Sequence, residues 1–299
     1  MNNRELFRGT GVALITPMMA NGSIDFAALA RTVERLIEGN VDYILTLGTT
    51  SENPTLTAAE RQAVMRFVRD RVAGRVPLMV GIGGNCTASV IETMRSWDFT
   101  GYSAILSVNP YYNKPNQEGL FRHFMALAEV APLPIVLYNI PGRTGVNMLP
   151  ETVARLSHAS DRFIGIKEAS GNIEQMEEIC RLLPDFLVIS GDDALTVECI
   201  KRGGCGVLSV AAHLYPQQIS DLTHLALDGK IDEAHAAMER LLPIIDSLFA
   251  EGNPVGVKSA LAIKGVCEAT VRLPLAEASD ALVQHQKQLI NQYEADTKA

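Results

Sequence analysis

No two of the five cysteines are spaced as C-x-x-C, and their number is odd. Cys86, Cys180, Cys199, Cys205 and Cys267 are therefore expected to be buried, reduced thiols, not a disulfide framework or a zinc site. Lysine and arginine form no run, and the formal net charge is −8. That balance argues against nucleic acid or an anionic membrane surface as a partner. No apolar stretch approaches the roughly 18 residues a membrane span requires. The opening MNNRELFRG lacks the apolar region of a secretory signal, so the expected location is the cytoplasm. Six dispersed histidines supply no metal-ligand cluster, and Asp192-Asp193 alone is weak evidence for one. Missing too are a G-x-S-x-G elbow, a Walker A loop and a G-x-G-x-x-G turn after a strand. No segment is of low complexity, and no exact repeat is present.

What the 299 residues do contain is ample apolar material, 47% of the chain. Short β-rich runs recur along it: GVALITPM (11–18), YILTLG (43–48), PLMVGIG (77–83), SAILSVNP (103–110), PIVLYNI (134–140), FIGIKE (163–168), FLVISGDD (186–193) and CGVLSVAA (205–212). Most are apolar throughout instead of alternating, as parallel strands buried on both faces are. Helical patterns separate them. One opens at Asp25 and closes near Gly39; Thr57 and Glu60 form a capping box; Pro150 suits a first turn; Asn172 with Gln175 marks another start, and Gly203 an end. Eight strand–helix units predict an α/β fold, a (β/α)8 TIM barrel, over residues 1–225. An open doubly wound sheet is the alternative. From residue 226 to 299 the β signal stops. Helical patterns at 231–250, 254–264 and 275–293, broken at Gly252-Asn253-Pro254 and Leu273-Pro274, predict a C-terminal helical subdomain.

Barrel active sites are built at the C-terminal ends of the strands. The polar residues of this sequence gather there: Gly48 to Glu52 after the second strand, Asn109 to Asn113 after the fourth, Tyr138 to Gly145 after the fifth, Lys167-Glu168 on the sixth and Gly191 to Asp193 after the seventh. Lys167 stands out because an ammonium inside an apolar run is unfavourable unless paired or neutral. At the barrel mouth a neutral amine would be a nucleophile towards a carbonyl, which is Schiff-base chemistry. The alternative is a lysine that snorkels to solvent or pairs with Glu168. Tyr138 can pass a proton, or be a packed aromatic with a satisfied hydroxyl. Thr49 and Thr50 offer hydroxyls for a small carboxylate, or cap the following helix. Arg143 can clamp a carboxylate bidentately, or form a surface ion pair. Tyr111 and Tyr112 suit loop packing or a proton relay.

The ordered set GTTSE, NPYYNKP, YNIPGRTG, GIKEASG and SGDD resembles the dihydrodipicolinate synthase / N-acetylneuraminate lyase superfamily of class I, pyruvate-dependent aldolases. The resemblance runs from GVALITPM to NPVGVKSAL (253–261) and is nearest to the synthase branch. It implies condensation of pyruvate with aspartate semialdehyde in diaminopimelate and lysine biosynthesis, with no metal or organic cofactor because Lys167 forms the covalent imine. It further implies that Tyr138 shuttles protons and that Thr49 and Tyr112 complete a hydroxyl relay. Tyr112 would reach across a tight-dimer interface within a homotetramer. Thr50 would bind the pyruvate carboxylate and Arg143 the second substrate's carboxylate. Gly191 and the Leu208 backbone would line the second-substrate pocket. A sister lyase acting on N-acetylneuraminate or a keto-deoxy sugar acid is the nearer alternative, but such relatives typically lack an arginine after YNIP. A non-catalytic barrel would be expected to lose Lys167 or Tyr138. Two departures stand out. Gly142 lies where close relatives often have serine. Lysine-inhibited relatives carry two histidines and a glutamate where this chain has Ala58, Arg61 and Ser89, which predicts weak or absent inhibition by L-lysine.

Overall fold

The computed structural model describes residues 5–298. Eight parallel strands close into a barrel in sequential order, β8 pairing back onto β1. They are β1 (Gly9–Ala13), β2 (Tyr43–Thr46), β3 (Leu78–Gly81), β4 (Ala104–Val108), β5 (Ile135–Asn139), β6 (Phe163–Glu168), β7 (Leu187–Ser190) and β8 (Gly206–Ser209). The helices that alternate with them are α1 (Phe26–Glu38), α2 (Ala58–Val72), α3 (Thr87–Ser96), α4 (Gln117–Ala128), the single-turn α5 (Pro141–Thr144), α6 (Pro150–Ala159), α7 (Ile173–Leu182), α8 (Thr196–Lys201) and α9 (Pro216–Leu227). A C-terminal helical region follows: α10 (Ile231–Phe249), α11 (Val255–Ile263) and α12 (Asp280–Lys298). Among the described residues no helix is long and apolar enough to cross a membrane.

Local chemistry sets the helix starts the sequence predicts. The Asp25 carboxylate accepts from Ala28 N at 2.9 Å. Thr57 and Glu60 make both bonds of a capping box, 3.2 and 2.8 Å. Asn172 Oδ1 accepts from Gln175 N at 3.0 Å. In α1 the residues Leu29, Val33 and Leu36 recur at helical spacing and are fully buried against the barrel. Each such aliphatic side chain contributes about 1.5–3 kcal/mol relative to exposure. Close packing of β1 on β8 needs glycine at Gly206, whose backbone lies at φ +147 and where a Cβ would stand 1.9 Å from Gly9 O.

Three sequence expectations shift. The apolar run 11–18 outlasts its strand, which ends at Ala13. Residues 14–18 stay buried as a loop, held by Leu14 N on Leu45 O and by Ile15 N on His213 Nε2. The last helix starts at Asp280, five residues later than the pattern suggests. The Ser279 hydroxyl, itself held by Glu251, accepts from Leu282 N. Nor are all cysteines buried. Cys199 and Cys205 are, and burial pushes Cys205 up to about 12. Cys86 is exposed at the start of α3, where hydrogen bonding to Ser89 and to the Ala88 backbone lowers its pKa.

His213 pins the ends of β1 and β8 together. Its Nε2 accepts from Ile15 N at 3.0 Å and its Nδ1 donates to Val210 O at 2.9 Å, which requires the neutral ring. Burial pulls its pKa down from 6.5 to about 4. Unfolded chains bind this proton first, so its contribution is complete above pH 6.5 and is lost as pH falls towards 4. Near pH 5 the loss is about 2 kcal/mol. His123, also lowered to about 4 by burial, acts in the same direction. Thermal unfolding between about pH 7 and 4.5 should therefore show a falling midpoint. His213→Gln should have a lower midpoint but a visibly shallower slope; an unchanged slope would remove His213 from this account.

Candidate active site

Tyr138 and Lys167 are neighbours across the β5–β6 ladder, and both are buried, at 5% and 6% exposure. Lys167 Nζ stands 4.6 Å from the Tyr138 ring centroid. The strand alternation that turns Lys167 inward turns Glu168 outward. Glu168 accepts from Asn139 Nδ2 at 2.8 Å, Gln175 Nε2 at 2.9 Å and Ser170 N at 2.7 Å. It is therefore not the partner of Lys167, and among the described residues no carboxylate forms an ion pair with that lysine. The aliphatic arm of Lys167 passes directly over Gly191. A Cβ there would meet Lys167 Cε at 2.9 Å and Ala169 Cβ at 2.5 Å.

Two cavities, of about 260 and 200 Å³, open at the C-terminal ends of the strands. They share Thr49, Tyr138, Ile140 and Arg143. Lys167, Thr50 and Gly191 line the smaller; Tyr111 lines the larger. Six of the eight residues singled out from the sequence thus converge on one mouth. Two do not. Leu208 lies in the barrel interior, in one apolar cluster with Tyr138 and Ile189, and Val210 lines the cavity from that side. Tyr112 is 85% exposed, with φ +73, and lines neither cavity of its own chain. A non-glycine residue held left-handed costs about 1–2 kcal/mol, and Leu47, beside the Thr49 turn, is likewise held at φ +56. Strain of this kind concentrates at functional loops.

The residues sequence reasoning passed over come from the C-terminal region. Phe249 ends α10 at the mouth of the smaller cavity. Asn253, which the sequence marks only as part of a helix break, donates from Nδ2 to Thr50 Oγ1 at 2.8 Å. Its main-chain carbonyl accepts from Arg143 Nη2 at 3.2 Å. Among the described residues Arg143 forms no salt bridge, so most of its donors stay free for an anion. Asp193 is not presented to the cavity. It accepts from the Ser209 hydroxyl and from Val210 N and Ala211 N, which ties the β7 loop to the β8 loop. Burial raises its pKa. A Cβ at Gly142 would meet nothing within 4 Å, so serine there is sterically permitted.

An inward lysine beside a tyrosine, with threonine and arginine converging on one barrel mouth, is an arrangement that can support carbonyl chemistry on a small carboxylate. The model of the dihydrodipicolinate synthetase family matches residues 6–293. The chain belongs to that family. It is 48% identical over 279 residues to the 4-hydroxy-tetrahydrodipicolinate synthase of Flavobacterium psychrophilum, covering 93% of this chain and 95% of the relative. Dihydrodipicolinate synthase from Thermotoga maritima superposes with a TM-score of 0.94 at 37% identity, covering 97% of this chain and 99% of that one. The enzyme from Cyanidioschyzon merolae, solved with lysine bound, gives 0.93 at 38% identity, with 97% and 99% covered. The barrel, its helices and the C-terminal region are therefore features this chain shares with the family over residues 6–293.

Proposed function

We infer that this chain is a lyase that catalyses the 4-hydroxy-tetrahydrodipicolinate synthase reaction, the condensation of pyruvate with L-aspartate 4-semialdehyde in diaminopimelate and lysine biosynthesis. The observation that carries the reading is Lys167, buried and without a carboxylate partner, beside Tyr138 in the mouth that Arg143 also lines. The neutral Lys167 amine attacks the pyruvate keto carbon. Tyr138 returns a proton to the departing oxygen, water leaves, and an iminium forms. The iminium draws electrons from the methyl group, which loses a proton to give an enamine. The enamine carbon bonds to the aldehyde carbon of the semialdehyde, whose oxygen takes up a proton. The substrate amine then adds to the imine carbon, the ring closes, and the Lys167 amine leaves. Lysine itself supplies the electron sink, so the scheme uses no metal or organic cofactor.

Thr50 holds the pyruvate carboxylate and Arg143 the carboxylate of the semialdehyde. Thr49 and Tyr112 extend the proton path from Tyr138. Tyr112 enters from a neighbouring copy, the arrangement that its 85% exposure in one chain favours. A homotetramer in the cytoplasm belongs to the same reading. Gly191 supports Lys167 by its lack of a side chain, and Val210, not Leu208, lines the pocket from the β8 side. Arg143 favours this substrate over a sugar acid. Pyruvate-dependent consumption of aspartate semialdehyde, with N-acetylneuraminate cleavage run alongside, tests it. Arg143→Ala should lower kcat/KM for the semialdehyde by roughly 10²-fold, the loss of a charge-assisted clamp. Cleavage of N-acetylneuraminate without condensation would make the chain a sister lyase.

A third cavity, of about 240 Å³, shares Asn53 and residues 81–83 with the larger one and is lined by Arg61, Asn85, Cys86 and Ser89. Arg61 is half-buried there, its Nε on Asn53 O at 3.2 Å, and burial lowers its pKa. Among the described residues no carboxylate lines this cavity. An α-amino acid with a second ammonium would meet Arg61 without compensation. L-Lysine titrated into the assay should give half-inhibition only above about 1 mM, a weak affinity on the usual scale. Half-inhibition well below that would overturn the expectation.

A further inference from the structure

We propose that Asn253 is a positioning residue for pyruvate: its side-chain N–H fixes the Thr50 hydroxyl as a donor towards the substrate carboxylate. The proposal rests on the reading of Thr50 given above. Asn253 sits where the C-terminal helical region meets the barrel mouth, 9% exposed, between α10 and α11. Its Nδ2 reaches Thr50 Oγ1 at 2.8 Å, and Thr50 is itself 2% exposed.

A hydroxyl has one hydrogen and two lone pairs, whereas a carboxylate only accepts. A threonine whose hydrogen is already committed to the protein cannot bind a carboxylate. An N–H placed on one of its lone pairs leaves that hydrogen for the ligand. Asn253 has the donor the task requires. Its Oδ1, by contrast, is buried with no hydrogen-bond partner. An unpaired buried acceptor is unfavourable, so stability alone does not select an amide in this orientation. The main chain of the same residue seats Arg143, whose Nη2 donates to Asn253 O at 3.2 Å. One residue thereby orders two anion-binding groups that lie 203 and 110 positions away in the sequence. Its side chain addresses Thr50 and its carbonyl Arg143, so side-chain substitution separates the two.

The test is a double-mutant cycle read by borohydride trapping of the Lys167 imine at graded pyruvate concentrations. The variants are Asn253→Ala, Asn253→Asp, Thr50→Val and Thr50→Val with Asn253→Ala. Asn253→Ala should raise the half-trapping concentration about 3–10-fold, as loss of one hydrogen bond implies. Asn253→Asp keeps the size but can only accept, so it takes the Thr50 hydrogen. It should be worse than Asn253→Ala, by about tenfold or more against the starting protein. In the Thr50→Val background Asn253→Ala should add less than about twofold. An aspartate variant that traps as the starting protein does, or an alanine effect undiminished without the Thr50 hydroxyl, would overturn the proposal. Absence of any trapping in the unaltered protein would instead remove the Schiff-base reading on which it stands.

Discussion

Lys167→Arg should lose turnover by on the order of 10³-fold or more while the fold persists. Arginine keeps the positive charge but does not give up its proton, so it cannot attack a carbonyl. Among the described residues Lys167 forms no ion pair with a carboxylate, arginine keeps the positive charge that stands over the Tyr138 ring, and the neighbouring Glu168 is already satisfied by Asn139, Gln175 and Ser170. The longer side chain can extend into the adjoining cavity of about 200 Å³. The unfolding midpoint should therefore stay near that of the unaltered protein. Stopped turnover with an unchanged midpoint separates chemistry from stability. Turnover within about tenfold of the unaltered protein would show that the nucleophile lies elsewhere.

The largest stability effect is expected at a buried ion pair that does not include the nucleophile. Lys258 and Glu52 form an ion pair of 2.5 Å with both side chains at 0% exposure. Lys258 also donates to Thr270 O at 2.8 Å, and the second Glu52 oxygen accepts from Arg272 N at 2.8 Å. Burial pushes the Lys258 pKa down and Glu52 pulls it back, the two opposing effects that decide whether a buried pair helps or harms. Breaking such a pair leaves one charge buried alone. Lys258→Ala should destabilise by about 3–5 kcal/mol, which lowers the unfolding midpoint by on the order of 5–10 °C. Glu52 lies two residues from Thr50, at φ +56. Slackening it should therefore also weaken pyruvate binding. Lys258→Ala with Glu52→Gln should recover part of the stability, because no lone charge remains. A midpoint within about 1 °C of the unaltered protein would mean the pair is not what fastens the C-terminal region to the barrel.

These two sites show what a single sequence discloses. Strands buried on both faces leave continuous apolar runs, so the eight units and the barrel are legible. An ammonium inside such a run is conspicuous, and the C-terminal ends of the strands locate the mouth. Lys167, Tyr138, Thr49, Thr50, Arg143 and Gly191 can therefore be gathered from the order of residues along the chain. The end of β1 is not legible, because residues 14–18 remain buried after the ladder stops and Ile15 N donates to a histidine 198 residues away. Glu52–Lys258 and Thr50–Asn253 are equally remote, separated by 206 and 203 positions. Local pattern carries no trace of such pairs. Asn253 next to a proline reads as a helix break, which it is, and that reading hides its contact with the site. Cys86 reads as one more apolar thiol, because nothing local tells that α3 begins outside the core.

The central claim is that pyruvate becomes bonded to Lys167. The most direct test is borohydride reduction of the protein with pyruvate, followed by peptide mass mapping. The account predicts a reduced pyruvate adduct on the peptide carrying Lys167, complete at saturating pyruvate and missing without it. An adduct on another lysine, or none at all while condensation proceeds, would contradict it.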